Sequence, residues 1–200
     1  MEPKTKWLLS KNKSCSCTMS GVWRAVACCQ GCAVIFHSPM GCVHVAETMD
    51  LGSHYRILAD GRHENIERVP LVSSNIREKD SIFGGTGRLR QSISYVMETY
   101  RPECLFIATS CVAGVIGDDA ESESAEAEMK YGIPVICIPY AGFLGGEYSD
   151  GYYKTAETII DRFFKPCEHV HNRILLLGDQ MGPDGQYVTC LLYTSDAADE

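Results

Sequence analysis

Long apolar runs are absent from this 200-residue sequence. No stretch reaches the roughly 18 consecutive apolar residues that a membrane-spanning helix needs, and the amino terminus lacks the apolar core of a secretory signal. Basic residues are also in deficit, since 18 Lys and Arg face 26 Asp and Glu. The only basic cluster, made up of Lys4, Lys6, Lys11 and Lys13, is interpreted as a solvated terminus, so this chain of net charge -8 has no electrostatic footprint for nucleic acid or anionic membrane surfaces. The sequence therefore predicts a cytoplasmic protein that binds neither nucleic acid nor membrane.

The last part of the chain, residues 190–200, resembles translated sequencing-adapter DNA rather than a natural protein segment. Such a segment is left out of fold reasoning, and the natural protein is expected to continue past Thr189. The segment holds three acidic residues and no basic one, so its removal changes the formal charge from -8 to -5. The remaining chain is still acidic, and the conclusion about nucleic acid and membranes is unchanged.

Cysteine, in contrast, is abundant, with 11 residues in the whole chain. In a reducing compartment a cysteine-rich chain more often binds metal or performs thiol chemistry than forms disulfides. Hydrophobic residues make up 45% of the chain, and about 190 residues suffice for one core of ordinary size and the start of another. The composition therefore predicts functional thiols on an ordinary globular fold.

Short apolar runs alternate with longer amphipathic stretches from residue 33 onward. Runs of aliphatic residues without polar alternation suit strands that are buried on both faces. Strand followed by helix in this rhythm predicts an α/β fold, with a doubly wound, mainly parallel sheet and helices on both faces. The predicted strands cover residues 33–37, 69–73, 104–109, 134–139 and 173–178, and the predicted helices cover 23–28, 87–100, 118–131 and 152–164.

The same pattern predicts the domain organisation. Residues 1–32 form a cysteine-rich segment of loop and short helix, and residues 33–165 form a first Rossmann-like domain. Residues 166–172 have the composition of a linker. Residues 173–189 read as a strand followed by glycines, which is typical of the start of a second Rossmann-like domain.

Three cysteines lie where a doubly wound fold binds its ligands. Cys42 follows the first predicted strand and Cys111 follows the third. The carboxyl ends of parallel strands form the ligand crevice of such folds, and Cys17 can reach the same edge from the preceding loop. Turn and helix-terminus N–H groups there favour thiolates, which select zinc or an iron–sulfur cluster over hard cations. We therefore predict Cys17, Cys42 and Cys111 as metal and cofactor ligands, with Cys15 as an alternative to Cys17.

The other cysteines in and before the first predicted domain carry weaker signals. Cys28, Cys29 and Cys32 form a Cys-Cys-x-x-Cys group, but a single Cys-x-x-Cys pair is half of a zinc site and no second pair follows at the right spacing. We interpret the group as a helix end that faces the core. Cys104 and Cys137 lie inside apolar runs and are predicted to pack in the core.

Polar residues near the predicted ligands have two readings. His37 and His44 are close enough in sequence to hydrogen-bond around the metal or carry protons, and an ordinary loop histidine is the alternative, favoured for His44. Asp118 and Asp119 begin a predicted helix and are interpreted as capping residues. The acidic run 121–128 is interpreted as a solvated helix face.

Four segments, in order along the chain, resemble a known protein family. They are Cys17-Thr-Met-Ser-Gly21 with His37-Ser-Pro-Met-Gly-Cys42, then Ile76-Arg-Glu-Lys-Asp-Ser-Ile-Phe-Gly-Gly85, then Thr109-Ser-Cys111 with Val115-Ile-Gly-Asp-Asp119, and Gly142-Phe-Leu-Gly145. They resemble segments of the amino-terminal part of nitrogenase component 1 subunits, and the resemblance as a whole covers about residues 15–189.

The resemblance implies a function and partners. Cys17, Cys42 and Cys111 would hold an iron–sulfur cluster, of the 4Fe-4S type or like the nitrogenase P-cluster, shared with a homologous component 1 subunit. Three thiolates cannot complete a four-iron cluster, so a further ligand comes from elsewhere. The electron donor would be a separate ATP-hydrolysing iron–sulfur protein, in agreement with the lack of a Walker loop in this sequence. A second metal cofactor would be held beyond Thr189, and the catalytic residues stay unknown.

The implied function is electron relay in a nitrogenase-like oxidoreductase, and the fragment alone is expected to be inactive and poorly stable. Tyr148 and Tyr152 replace a Gln and a His that the nitrogenase catalytic subunits carry, which disfavours dinitrogen and leaves tetrapyrrole or carbon–sulfur substrates as alternatives. A cofactor-assembly scaffold of the same family is an alternative function. A structural zinc domain is a weaker alternative, with these ligands: Cys15, Cys17, Cys29 and Cys32.

Overall fold

The computed structural model describes residues 17–27, 29–48, 69–139 and 146–165. Its strands are β1 (Cys32–His37), β2 (Leu71–Ser73), β3 (Cys104–Thr109) and β4 (Val135–Ile138). Its helices are α1 (Thr18–Val26), α2 (residues 40–48), α3 (Asp80–Phe83), α4 (Thr86–Thr99), α5 (Cys111–Ile116), α6 (Ala120–Tyr131) and α7 (Tyr148–Phe163). None of the helices in these ranges is long and apolar enough to cross a membrane.

The four strands form one parallel sheet in the order β2-β1-β3-β4. From β1 the chain crosses to β2 on one side, and then to β3 and β4 on the other side. The direction of winding therefore reverses between β1 and β3, whose register pairs Cys32 with Cys104 and His37 with Thr109. Such a reversal opens a crevice at the carboxyl ends of the two strands. The predicted α/β, doubly wound parallel architecture is confirmed.

Helices cover both faces of the sheet. Val34 and Phe36 of β1 pack in a core layer with α1 and α2, while Ala33 and Ile35 pack in a second layer with α4 and α6. Successive side chains of a strand point to opposite faces, so a strand buried on both sides is apolar at every position. This is why β1 and β3 read as continuous apolar runs in the sequence.

Helices α1 and α7 pack tightly against each other. A Cβ at Gly21 of α1 would overlap the backbone of Tyr148, and a Cβ at Gly151 of α7 would overlap the backbone of Thr18. The two helices approach this closely because both positions lack a side chain. An isolated bridge between Cys17 and Glu147 lies immediately before the two helices.

Several helix predictions are wrong in detail. The first helix begins at Thr18, not at residue 23, because its first turn is buried despite small and polar side chains. The predicted helix 118–131 begins at Ala120, and a separate helix, α5, precedes it and ends at Gly117 with φ of 80°. Helices α2 and α3 were not predicted. The predicted strand 173–178, the linker and the Gly142-Phe-Leu-Gly145 turn lie outside the described residues.

Candidate metal centre

Cys42 and Cys111 lie beside the crevice between β1 and β3. The backbone N–H of Ser110 donates to the carbonyl oxygen of His37 at 3.1 Å, which joins the ends of the two strands. Helix α5 begins one residue later, at Cys111, with the Ser110 hydroxyl accepting from the N–H of Ala113 at 3.2 Å. Cys42 lies in the first turn of α2, and its N–H donates to the Pro39 carbonyl oxygen at 3.2 Å.

Cys17 approaches the same edge from α1. It is the N-cap residue of that helix, in extended backbone conformation, and is partly buried like the other two cysteines. Burial raises the pKa of Cys42, and negative charge on Cys17 and on Cys111 raises it further, while a hydrogen bond with Ser38 opposes the rise. Both other sulfurs therefore lie within electrostatic range of Cys42. The three thiols therefore lie at the same end of the sheet, and their role as metal ligands stays a prediction.

The expectation that local N–H groups favour the thiolate is wrong for Cys42. Burial and two neighbouring thiolates outweigh them. A bound cation removes this penalty, since metal binding replaces the thiol protons and neutralises the mutual repulsion.

The spacing of the thiols bears on the kind of metal. Among the described residues, no group of three or more His, Cys, Asp or Glu side chains is arranged to hold a metal ion. A single zinc ion needs its sulfur ligands at about 2.3 Å from one centre, whereas a cluster distributes its thiolates over separate iron atoms. Thiols are the soft sulfur donors that zinc and iron–sulfur clusters both take, so the predicted donor set fits either group by its chemistry. The alternative zinc set gains no support, and Cys15 lies outside the described residues.

A buried hydrogen-bond network lies under the same edge. The His37 ring is fully buried, with Nε2 at 2.9 Å from the Asp118 carboxylate and Nδ1 at 2.9 Å from the Ser74 hydroxyl. The Ser74 oxygen also accepts from the N–H of Ser38 at 3.1 Å. Burial lowers the pKa of His37, although Asp118 opposes the shift. A neutral ring that donates from Nε2 and accepts at Nδ1 satisfies every contact.

Asp118 differs from its predicted role. Asp119 does cap α6, since its carboxylate accepts from the N–H of Ser122 at 3.0 Å. Asp118 instead accepts from His37 and from the N–H of Gly85 at 2.9 Å. It thus joins the end of β1 to the turn before α4, and the interpretation of Asp118 as a cap is wrong. Two adjacent acids give no sequence signal that separates these roles.

Replacing Asp118 with alanine is expected to lower the free energy of unfolding by about 2–4 kcal/mol, because it leaves buried donors of His37 and Gly85 without an acceptor. Asp119→Ala, the matched control, removes only an exposed cap and should cost about 1 kcal/mol. Urea unfolding followed by circular dichroism measures both values. Equal losses in the two variants would contradict the assigned roles.

Four further predictions concern His44, the acidic run 121–128, Cys104 and Cys137. His44 is exposed and lies on α2, so it takes no part in the buried network. The acidic face of α6 is not fully solvated, because Glu123 is buried and pairs with Arg90. Cys104 is buried in the core as predicted, and the partly buried Cys137 packs against the second core layer.

Exposed apolar side chains lie beside the metal ligands and were missed by sequence reasoning. Ile82 and Phe83 of α3 are 77% and 86% exposed, and Val115, four residues after Cys111, is 78% exposed. Helices α3 and α5 contact each other, so these side chains belong to one region of the surface. Clustered apolar exposure of this kind marks interaction surfaces in monomer structures.

The sequence matches the family described as nitrogenase component 1 type oxidoreductases over residues 17–191. The nitrogenase iron–molybdenum cofactor biosynthesis protein NifE of Clostridium pasteurianum is 36% identical over 126 residues, which are 63% of this chain and 26% of that protein. The nitrogenase molybdenum–iron protein alpha chain of Methanosarcina barkeri is 34% identical over 90 residues, which are 45% of this chain and 17% of that protein. The chain thus spans about a quarter or less of the length of these relatives.

The fold has counterparts among solved structures. A structure described as nitrogenase Cp1 at pH 6.5 superposes with a TM-score of 0.63 at 22% identity, over 89% of this chain and 35% of the other. A second, nitrogenase Cp1 at pH 5, has a TM-score of 0.58 over 74% of this chain. At this identity the comparison establishes the shared α/β fold.

Proposed function

Because the chain belongs to the nitrogenase component 1 type oxidoreductases, we propose that it is part of a cytoplasmic, two-component reductase subunit whose iron–sulfur cluster relays electrons. Cys17, Cys42 and Cys111 would hold a 4Fe-4S or P-cluster-like centre. The observation that carries the proposal is the position of the three partly buried thiols: Cys42 and Cys111 lie just after the adjoining ends of β1 and β3, and Cys17 is the N-cap of α1.

The cluster would supply one-electron transfer, and this chain's residues would set its surroundings. Cys17, Cys42 and Cys111 would hold the irons, and the packing of Cys17 and Cys42 against the core layer of α1 and α2 would limit the access of water to these thiols. Burial and hydrogen bonds to the sulfurs tune the reduction potential of such centres. Ser38, which hydrogen-bonds the Cys42 thiolate, is the described candidate for that tuning.

Two protein partners follow from the proposal. A homologous component 1 subunit would provide the remaining cluster ligands, since three thiolates do not complete a four-iron cluster. An ATP-hydrolysing iron–sulfur protein would deliver the electrons. The exposed side chains of Ile82, Phe83 and Val115 support a protein partner at the carboxyl-end edge of the sheet. Burying exposed apolar side chains against a partner is favourable, and clusters of them are typical of protein interfaces.

A cofactor-assembly scaffold is the second candidate, and the comparisons support it equally well. Its specific support is the similarity to a protein named for iron–molybdenum cofactor biosynthesis. Tyr148 and Tyr152, where nitrogenase catalytic subunits carry Gln and His, agree with a protein that does not reduce dinitrogen. In the scaffold the same thiols would hold a cluster next to a cofactor that is later transferred.

Anaerobic purification with the natural partner subunit tests the shared part of both candidates. We expect a brown protein with iron and acid-labile sulfide in equal amounts. A colourless protein with stoichiometric zinc would overturn the proposal in favour of a zinc domain. Adding the reduced donor protein and ATP then separates the two candidates. If the protein relays electrons, the visible absorbance of the cluster should fall on reduction while the bound iron is retained. If the protein is a scaffold, iron-containing cofactor should be transferred to an apo-acceptor protein.

A further inference from the structure

Three more thiols meet at the opposite end of the sheet. Cys29 follows α1, Cys32 begins β1, and Cys104 begins β3 as the register partner of Cys32. The interaction with the Cys32 thiol raises the pKa of Cys29, and the interaction with Cys104 raises the pKa of Cys32 to about 11. The three sulfurs are therefore neighbours. They take no part in the metal centre, because β1 is six residues long and separates the two edges by roughly 17 Å.

A tight turn joins two of these cysteines. The N–H of Cys32 donates to the carbonyl oxygen of Cys29 at 3.2 Å, and Gly31 between them has φ of 77°. This is the pattern of a β-turn with glycine at its third position, which brings the first and fourth Cα atoms within about 7 Å. Disulfide-bonded cysteines have Cα atoms about 4.4–6.8 Å apart. The backbone thus holds Cys29 and Cys32 at a separation that a disulfide can bridge.

Solvent exposure distinguishes the Cys29–Cys32 pair from the Cys32–Cys104 pair. Cys29 and Cys32 are both partly exposed, whereas Cys104 is buried with 6% of its surface accessible. A thiolate that reacts with an external disulfide must be reachable by it. The pair in the turn meets this condition, and Cys104 lies behind it in the core layer.

We propose that Cys29 and Cys32 are a reversible thiol–disulfide exchange site, which small organic disulfides oxidise to a disulfide across the turn. The Cys32 thiolate attacks one sulfur of the organic disulfide, forms a mixed disulfide and releases one organic thiolate, which takes up a proton. The Cys29 thiolate then attacks the Cys32 sulfur and releases the second organic thiolate. Two protein thiols and one organic disulfide become one protein disulfide and two organic thiols. The site does not depend on the proposed electron-relay function.

The charges around the turn set the speed of this exchange. Glu103 lies over Gly31, with its carboxylate 3.3 Å from the position of a Cβ there, and its negative charge contributes to the raised pKa of Cys32. Cys29 and Cys104 are the other titratable groups that face Cys32. A raised pKa leaves little thiolate at neutral pH, so the exchange is slow. Glu103→Gln lowers the pKa of Cys32 and is expected to accelerate its oxidation.

The test uses the chain purified with its partner, treated anaerobically with oxidised glutathione. Cys28→Ser is present throughout, so that the neighbouring cysteine cannot react. Free thiols are then alkylated, and tryptic peptides are sequenced by mass spectrometry without reduction. We expect alkylation of Cys29 and Cys32 to fall together by at least about tenfold, with an internal disulfide in the peptide of residues 25–56 that added dithiothreitol removes.

Two variants make the result specific. In Cys29→Ala the second step has no attacking thiol, so a glutathione mixed disulfide should accumulate on Cys32. In Cys104→Ala the turn disulfide should still form. A cross-link between Cys32 and Cys104, or unchanged alkylation of both turn cysteines in the otherwise unaltered chain, would overturn the proposal. The peptide map of the chain that carries Cys28→Ser alone decides the matter without relying on the folding of Cys29→Ala or Cys104→Ala.

Discussion

Replacing Cys42 or Cys111 with alanine is expected to lower the iron bound per chain by at least about tenfold, because loss of a direct thiolate exceeds the 10- to 100-fold effect of losing a supporting contact. The structure gives each cysteine a place at the crevice between β1 and β3, and electrostatic coupling links Cys42 to both other thiols. Iron, acid-labile sulfide and visible absorbance after anaerobic purification measure the effect.

The matched control is Cys137→Ala. Cys137 is a partly buried cysteine of β4 that packs against α4 and α6, and burial raises its pKa to about 12. The Cys137→Ala variant should retain the iron content of the unaltered chain. Retention of iron in Cys42→Ala would refute the ligand assignment. If only Cys17→Ala retains its iron, Cys15 is the ligand in place of Cys17.

The second large effect concerns the packing of α1 on α7. Gly21→Ala and Gly151→Ala each place a Cβ where the facing helix has its backbone, at Tyr148 and Thr18 respectively. A backbone cannot move aside as a side chain does, so each variant should lose about 3 kcal/mol or more of unfolding free energy. Chemical denaturation with circular dichroism provides the measurement.

Gly87→Ala is the control for this pair. Gly87 is an exposed residue in the first turn of α4, and a Cβ there meets no atom within 4 Å. The same substitution should raise the unfolding free energy by about 0.5–1 kcal/mol, because alanine loses less backbone entropy in a helix. If all three variants behave alike, close helix contact at Gly21 and Gly151 is not what stabilises the domain.

The packing of α1 also affects the metal centre. Cys17 is the N-cap of α1 and pairs through its backbone with Glu147, just before α7 begins. A shift of α1 away from α7 would displace Cys17, whereas Cys42 and Cys111 depend on the strand ends. Iron binding in Gly21→Ala should therefore weaken even where the sheet remains folded.

The fold was predictable because its signal is local and periodic. The residues of β1 and β3 are apolar at every position before the last, and such an unbroken apolar run is typical of a strand buried on both faces. Helix α4 was found within one residue at each end, since Leu89, Ile93 and Val96 recur at helical spacing. Helices α2, α3 and α5 escaped prediction because they are short and lie at the sheet edge, where apolar periodicity is weak.

The position of two candidate ligands in the fold was predictable, whereas the contacts around them were not. Cys42 and Cys111 each follow an apolar strand. In a parallel sheet, residues that follow the strands lie together at the edge formed by the carboxyl ends. The partnership of Asp118 with His37 spans 81 residues and has no local signature. The direction of the pKa shift of Cys42 likewise depends on burial and on sulfurs that are distant in sequence.

The sequence by itself determined the parallel α/β architecture, the family and the identity of the candidate thiols, because these follow from local periodicity and short motifs. Only the tertiary structure decided that winding reverses between β1 and β3, that Asp118 supports His37 while Asp119 caps a helix, and that Cys29 and Cys32 face each other across a turn. These features arise from contacts between residues far apart in sequence, or from the angle of one glycine. Local patterns do not encode which distant groups meet, since that depends on how the whole core packs.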